Sequence, residues 1–117
     1  MFKFMMRVYF YRTEVGNEPV REWLKTLNRD DRKLIGDDLQ TVQLGWNTGV
    51  IGEPLVKSFG AGLFEVRSTL PSKRIARIFF CVYQDKIVLL HAFIKKTEKT
   101  PDTERELAKK RQKSFKK

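Results

Sequence analysis

The sequence predicts a single α+β domain: an N-terminal strand, a helical hairpin, an antiparallel three-strand meander and a C-terminal helix. Three observations carry that prediction. Apolar residues recur at helical spacing between positions 20 and 42. Three runs between Leu63 and Ile94 are rich in Val, Ile and Phe and are broken by turn residues, and Thr100-Pro101-Asp102 reads as a helix start. With 117 residues, 41% of them hydrophobic, the chain is long enough to bury a core without disulfides or metal.

Phe4 to Tyr11 reads as the first strand, because Val8, Phe10 and their aromatic neighbours suit a pleated surface. Gly16 and Asn17 break the run. Glu18 and Pro19 open a helix, Pro being tolerated in a first turn where its missing N–H has no partner to lose. Val20, Trp23, Leu24 and Leu27 then form one apolar stripe. Asn28 or Asp30 can cap a second helix that carries Leu34, Ile35, Leu39 and Val42 and stops at Gly45. The two helices must lay their stripes on the strands. Residues 46–54 read as a loop, with Trp46 plugging the edge of the core. Lys57 leads into the second strand, and Gly60 and Gly62 are turn residues.

Strand parity sorts the meander. In Leu63 to Ser68, Phe64 and Val66 alternate with Glu65 and Arg67; in Arg74 to Val82, the residues Ala76, Ile78, Phe80 and Val82 share a face opposite Arg77, Phe79 and Cys81. If the helices cover the first face, Glu65, Arg67 and Arg77 look out from the second. Ile87 to Ile94 is nearly all apolar, as in a central strand covered on both sides. The tail from Lys109 to Lys117 offers only Leu107, Ala108 and Phe115 near it for packing, so a frayed helix is expected there, its charge solvated or in contact with RNA.

Charge narrows the function. Lys and Arg total 24 against 14 acids, a formal net charge of +10, which favours a polyanionic partner: nucleic acid, an acidic protein or an anionic surface. No apolar stretch approaches the roughly 20 residues of a spanning helix, and the N-terminus lacks a signal-peptide pattern, so no membrane partner and a cytoplasmic location are expected. Cys81, the one cysteine, lies in an apolar run, which excludes an intrachain disulfide and reads as a small core residue. One His and one Cys cannot build a zinc site and the acids do not cluster for magnesium, so no metal and no cofactor are expected.

Exposed cations with one carboxylate on a sheet face suit cleavage of RNA by its own 2′-OH, which needs no protein nucleophile. The protein supplies a base for that hydroxyl, an acid for the leaving oxygen and cations for the charge on phosphate. Arg67 and Arg77 suit the last task, because a guanidinium meets phosphate with a rigid two-pronged donor set. Glu65 or a lysine of lowered pKa can be the base, and His91 or a lysine the acid. Glu65 can equally be an ion-pair partner of Arg67 or Arg77, and His91 a structural histidine. Composition and spacing support a basic RNA-binding module as well as a ribonuclease.

GLFEVRS, RIARIFF and the run from Leu90 to Pro101, LHAFIKKTEKTP, resemble the RelE/ParE superfamily of bacterial toxins, in particular its phage-derived, HigB-like branch. The likeness covers nearly the whole chain. It implies a RelE-like microdomain that is the toxin of a type II toxin–antitoxin pair, a metal-independent endoribonuclease cutting mRNA in the ribosomal A site. It also implies a cognate antitoxin as partner. Carried over by motif, Arg67 and Arg77 fall where the family keeps phosphate-binding cations, and Lys95 and Lys96 match the basic pair after the last strand. Lys96 joins the catalytic candidates with Arg67, Arg77, Glu65 and His91, while Lys57, Arg74, Lys95 and Lys99 are candidates for binding phosphate. Two features depart from the RelE archetype: Glu65 stands where a lysine is kept, and the C-terminal tyrosine has no counterpart beyond Phe115. The resemblance therefore assigns neither base nor acid. A ParE-like gyrase poison and a non-catalytic RNA- or antitoxin-binding member are the alternatives.

Overall fold

The computed structural model describes residues 5–49, 51–95 and 101–115. Its elements run β1 (Arg7–Phe10), α1 (Pro19–Lys25), α2 (Arg29–Gly45), one 3-10 turn (Trp46–Thr48), β2 (Val56–Ser58), β3 (Leu63–Leu70), β4 (Arg74–Tyr83), β5 (Lys86–Lys95) and α3 (Asp102–Phe115). The α+β architecture follows the sequence pattern. One mixed sheet has the order β1-β5-β4-β3-β2, with β1 parallel to β5 and every other neighbour antiparallel.

The helical hairpin forms as its sequence dictates. Pro19 opens α1, and Asn28 caps α2 by accepting a hydrogen bond from the Asp31 N–H at 2.8 Å. Gly45 is the last residue of α2, not its stop; the chain continues into the 3-10 turn and reverses at Gly49, whose φ of +73° suits glycine. Val20, Ile35, Leu39 and Val42 pack onto Val66, Ala76, Ile78, Phe80, Ile87 and Leu89 on one face of the sheet. Trp46 closes that core edge-on against Phe64 and Phe80, at 4.8 and 5.5 Å between ring centroids.

The second face differs from expectation. The C-terminal segment is a packed helix and not a frayed one: Ala108 and Phe115 of α3 join Leu63, Phe79, Cys81, Val88 and Leu90 in a second apolar cluster. Arg111 donates to the Leu90 carbonyl at 2.8 Å and Gln112 to the Ala61 carbonyl at 3.0 Å, fixing the helix to the sheet and to the β2–β3 turn. The expected cap at Thr100 lies outside the described residues, as does Phe4, the expected start of β1. A further difference is β2, too short for a periodicity signal, which pairs Val56, Lys57 and Ser58 with Val66, Glu65 and Phe64.

A bulge in β5 decides what the second face carries. Phe79 opposes His91 whereas Phe80 opposes Leu89, so Leu90 is an extra residue. Without it, the parity of Ile87 and Leu89 would place His91, Phe93 and Lys95 under the helical hairpin. With it, those three side chains turn to the same face as Arg77 and Phe79. The Leu90 carbonyl that the bulge displaces is the one Arg111 satisfies.

Candidate functional site

The helix α3 covers only part of the second face. Where it stops, cations collect. Cross-strand pairing places Lys57 opposite Glu65, Arg67 opposite Arg77 and Ile75 opposite Lys95, all on this face. Two arginines directly opposite would repel. Glu65 offsets that repulsion: its Oε1 accepts from Arg77 Nη1 at 2.9 Å and from Arg67 Nε at 3.4 Å.

Burial corrects the picture of three side chains looking out to solvent. Glu65 is 0% and Arg77 4% exposed, while Arg67 is half-buried. The Glu65 ion pairs are thus buried rather than superficial, and the carboxylate holds the guanidinium groups in place. Arg77 Nε is buried without a hydrogen-bond partner among the described residues, so the group keeps donor capacity.

Lys95 completes the cluster at 5% exposure. Burial and the charge of Arg77 hold its amine below its ordinary 10.5; Glu65 pulls the other way, and Arg67 and Lys57 push it down further. Those four charges reach Lys95, at the end of β5, because β2, β3 and β4 deliver them to one patch.

An apolar floor lies between this patch and α3. Phe59, Phe79 and Phe93 follow one another at centroid distances of 5.4 and 6.2 Å, and His91 stacks on Phe93 at 5.8 Å. Lys57 Nζ lies 5.2 Å and the Arg105 guanidinium 6.0 Å from the Phe59 ring centroid. His91 Nε2 meets the Glu104 carboxylate of α3, so the imidazole is tied to the covering helix and separated from Arg77 by Phe93.

Arg74 falls elsewhere. Strand parity puts it on the face under α2, where Nη1 and Nη2 donate to both oxygens of Asp31 at 2.6 and 3.0 Å and Nε donates to the Pro71 carbonyl at 3.0 Å. Hydrogen bonding to Arg74 holds the Asp31 carboxyl below its ordinary value. Arg74, a phosphate-binding candidate in the sequence, thus fastens α2 to the β3–β4 hairpin, and the sequence signal for this contact is Asp31 in the first turn of an amphipathic helix. Lys96 and Lys99 lie outside the described residues.

Beside the patch, at the sheet edge that β2 leaves open, is a cleft of about 480 Å³ lined by Leu34, Asp38, Pro54, Leu55, Arg67, Thr69, Ile75 and Arg77. Sequence reading missed it because its walls come from α2, the loop before β2 and β3–β4. Among the described residues no three His, Cys, Asp or Glu side chains converge to hold a metal ion, and no helix is long and apolar enough to cross a membrane.

The family model described as Phage derived protein Gp49-like (DUF891) matches residues 22–113, from within α1 to near the end of α3. The chain belongs to this family. The matched region contains the whole cation patch, the cleft and most of the covering helix; β1, the loop after it, the first residues of α1 and the last residues of the chain fall outside it. The Gp49-like family is RelE- and toxin-like, a family of toxin–antitoxin systems. No curated protein is matched by the sequence.

Proposed function

We propose that this Gp49-like protein is the toxin of a type II toxin–antitoxin pair, of the HigB-like kind, and that it cuts mRNA on the ribosome by attack of a 2′-OH on the adjacent phosphorus. The observation that carries this reading is the convergence of Lys57, Arg67, Arg77 and Lys95 around the buried Glu65, on the half of the sheet face that α3 leaves uncovered.

In the reaction the O2′–P bond forms as the P–O5′ bond breaks, and negative charge grows on the phosphoryl oxygens. Arg77, held by Glu65 with donor capacity in reserve, and Arg67 beside it face that charge without reorganising. Lys95 is the proton acceptor in this scheme. Its lowered pKa places more of it in the neutral form that can take the 2′ proton. Glu65 positions the arginines and is not the base, since its Oε1 already accepts from both. The leaving 5′ oxygen takes its proton from a lysine, with Lys96 the nearest in sequence. Lys57 and Lys99 steer and hold the RNA backbone. The antitoxin partner would neutralise the protein by laying an acidic segment over the same patch. A ribosomal substrate places the protein in the cytoplasm.

The test is induction of the chain in growing cells, with mRNA 5′ ends mapped and plasmid supercoiling measured. Translation-dependent cuts within codons are expected, and Arg77→Ala should lower them by about 10²- to 10³-fold. Relaxed or trapped DNA with intact mRNA would instead identify a gyrase poison. Growth with neither effect would leave a binding protein only.

A further inference from the structure

We infer that the cleft beside the cation patch is a nucleobase subsite, selecting bases that carry an amino group, with Asp38 as the residue that reads them. This rests on the phosphate-binding reading of Arg67 and Arg77. Both arginines line the cleft as well as the patch, so a phosphate held between them has its neighbouring nucleoside at the mouth of the cleft.

The cleft is roomy enough to admit a base, and its lining offers a base suitable chemistry. A volume of about 480 Å³ lies within the range of about 300–1,000 Å³ typical of small-ligand sites. Half of the lining is apolar: Leu34, Pro54, Leu55 and Ile75. Leu34 is 38% exposed although the next residue of α2, Ile35, is fully buried, so α2 presents an aliphatic side chain to the cleft and not to the core. Flat aromatic rings are what such walls accept beside a phosphate site.

Asp38 supplies the discrimination. It lies one helical turn after Leu34 on α2, is half-buried, and makes no hydrogen bond or ion pair among the described residues, whereas its neighbour Asp37 pairs with Lys33. A carboxylate only accepts hydrogen bonds. Cytosine and adenine each offer it an exocyclic amino group, and guanine offers two adjacent donors, N1–H and the 2-amino group. Uracil offers a single N3–H between two carbonyl oxygens that the carboxylate repels. The order expected is guanine first and uracil last.

The measurement is the dissociation constant of the full chain for four fluorescent trinucleotides, each of a single base and 2′-O-methylated so that none is cut. The parent should bind the guanine trimer about tenfold or more tightly than the uracil trimer. Asp38→Ala should bring that ratio close to one while the melting temperature stays unchanged, and Asp38→Asn, which can also donate, should raise uracil binding selectively. An equal gain for all four trimers in Asp38→Ala would mean that Asp38 acts only as a charge, and an unchanged ratio would mean that it reads nothing; either overturns the subsite. Should the parent retain none of the four, the phosphate reading itself fails and the subsite with it. Retention of all four with no preference sinks the subsite alone.

Discussion

Arg74 and Arg77 sit three residues apart on β4 and do opposite things. Arg74, under α2, spends every guanidinium nitrogen inside the protein: two on Asp31 and one on the Pro71 carbonyl. Arg77, on the far face, places Nη1 on Glu65 and leaves Nε buried with no partner among the described residues. Both are anchored by a buried carboxylate, since Asp31 and Glu65 are 2% and 0% exposed. The difference lies in saturation. An arginine with all three nitrogens engaged inside the protein is a clamp, whereas one held by a single prong is positioned and still able to receive an anion.

Exchanging each arginine for alanine should break this comparison most visibly. Arg77→Ala is expected to lose cleavage by about 10²- to 10³-fold. Because it also leaves Glu65 with less compensation, Arg77→Lys is the companion variant: it keeps a charge near Glu65 but loses the fork, so it should fold and still cut poorly. Arg74→Ala should show the reverse, a lowered melting temperature with cleavage per folded molecule retained. Its stability deficit also has a pH signature. The Asp31 carboxyl is held below its ordinary 3.8, so its contribution is present above that value and is lost as pH falls through the lowered folded value. The melting temperatures of parent and Arg74→Ala should therefore converge in acid. Equal loss of cleavage in both alanine variants would remove the distinction drawn here.

Glu65→Gln sharpens the same contrast from the anchor's side. An amide oxygen still accepts from the guanidinium groups, but the charge that offsets two opposed arginines is gone. Cleavage should fall by about ten- to a hundredfold, the scale of a displaced reacting group. The shape of its pH profile should persist, because Glu65 acts through Arg67 and Arg77 and takes no proton itself. Disappearance of the acidic limb in this variant would make Glu65 the base after all.

These roles show how far the sequence could be read. Helical spacing fixed the hairpin and its core, since Val20, Ile35, Leu39 and Val42 report their own burial through periodicity. Strand parity put Glu65, Arg67 and Arg77 on one face correctly, because β3 and β4 pair without interruption across those residues. For Lys95 the sequence offers only a cation after the last strand, whereas it is the final residue of β5. The bulge at Leu90 moves it to that face, and a bulge has no signature in a run as uniformly apolar as IVLLHAFI. Parity also says nothing of depth, so it cannot report the burial of Glu65 and Arg77, nor the closing of α3 over Leu63, Phe79 and Leu90. The surroundings of Arg74 are likewise illegible: its parity places it with Ala76 and Ile78, and the contact it makes there, with Asp31 from α2, joins segments far apart in sequence. The cleft with Leu34 and Asp38 was beyond reach because it joins segments far apart in sequence.

The smallest expected effect concerns Lys95, which extends the comparison to an anchored cation that can lose its charge. Its amine is held below the ordinary 10.5, chiefly by burial and then by Arg77. The unfolded chain therefore binds more protons than the folded one between the lowered value and 10.5, and stability rises with pH across that window. Below the window the cost of keeping a charged amine in the folded protein is present in full. Lys95→Met replaces the amine with an apolar chain of similar length, so the variant should melt a few degrees above the parent at neutral pH, and that gain should shrink towards nothing as pH approaches 10.5. A Lys95→Met advantage constant from neutral pH to 10.5 would mean that packing and not charge sets it, and would withdraw the case for Lys95 as the proton acceptor.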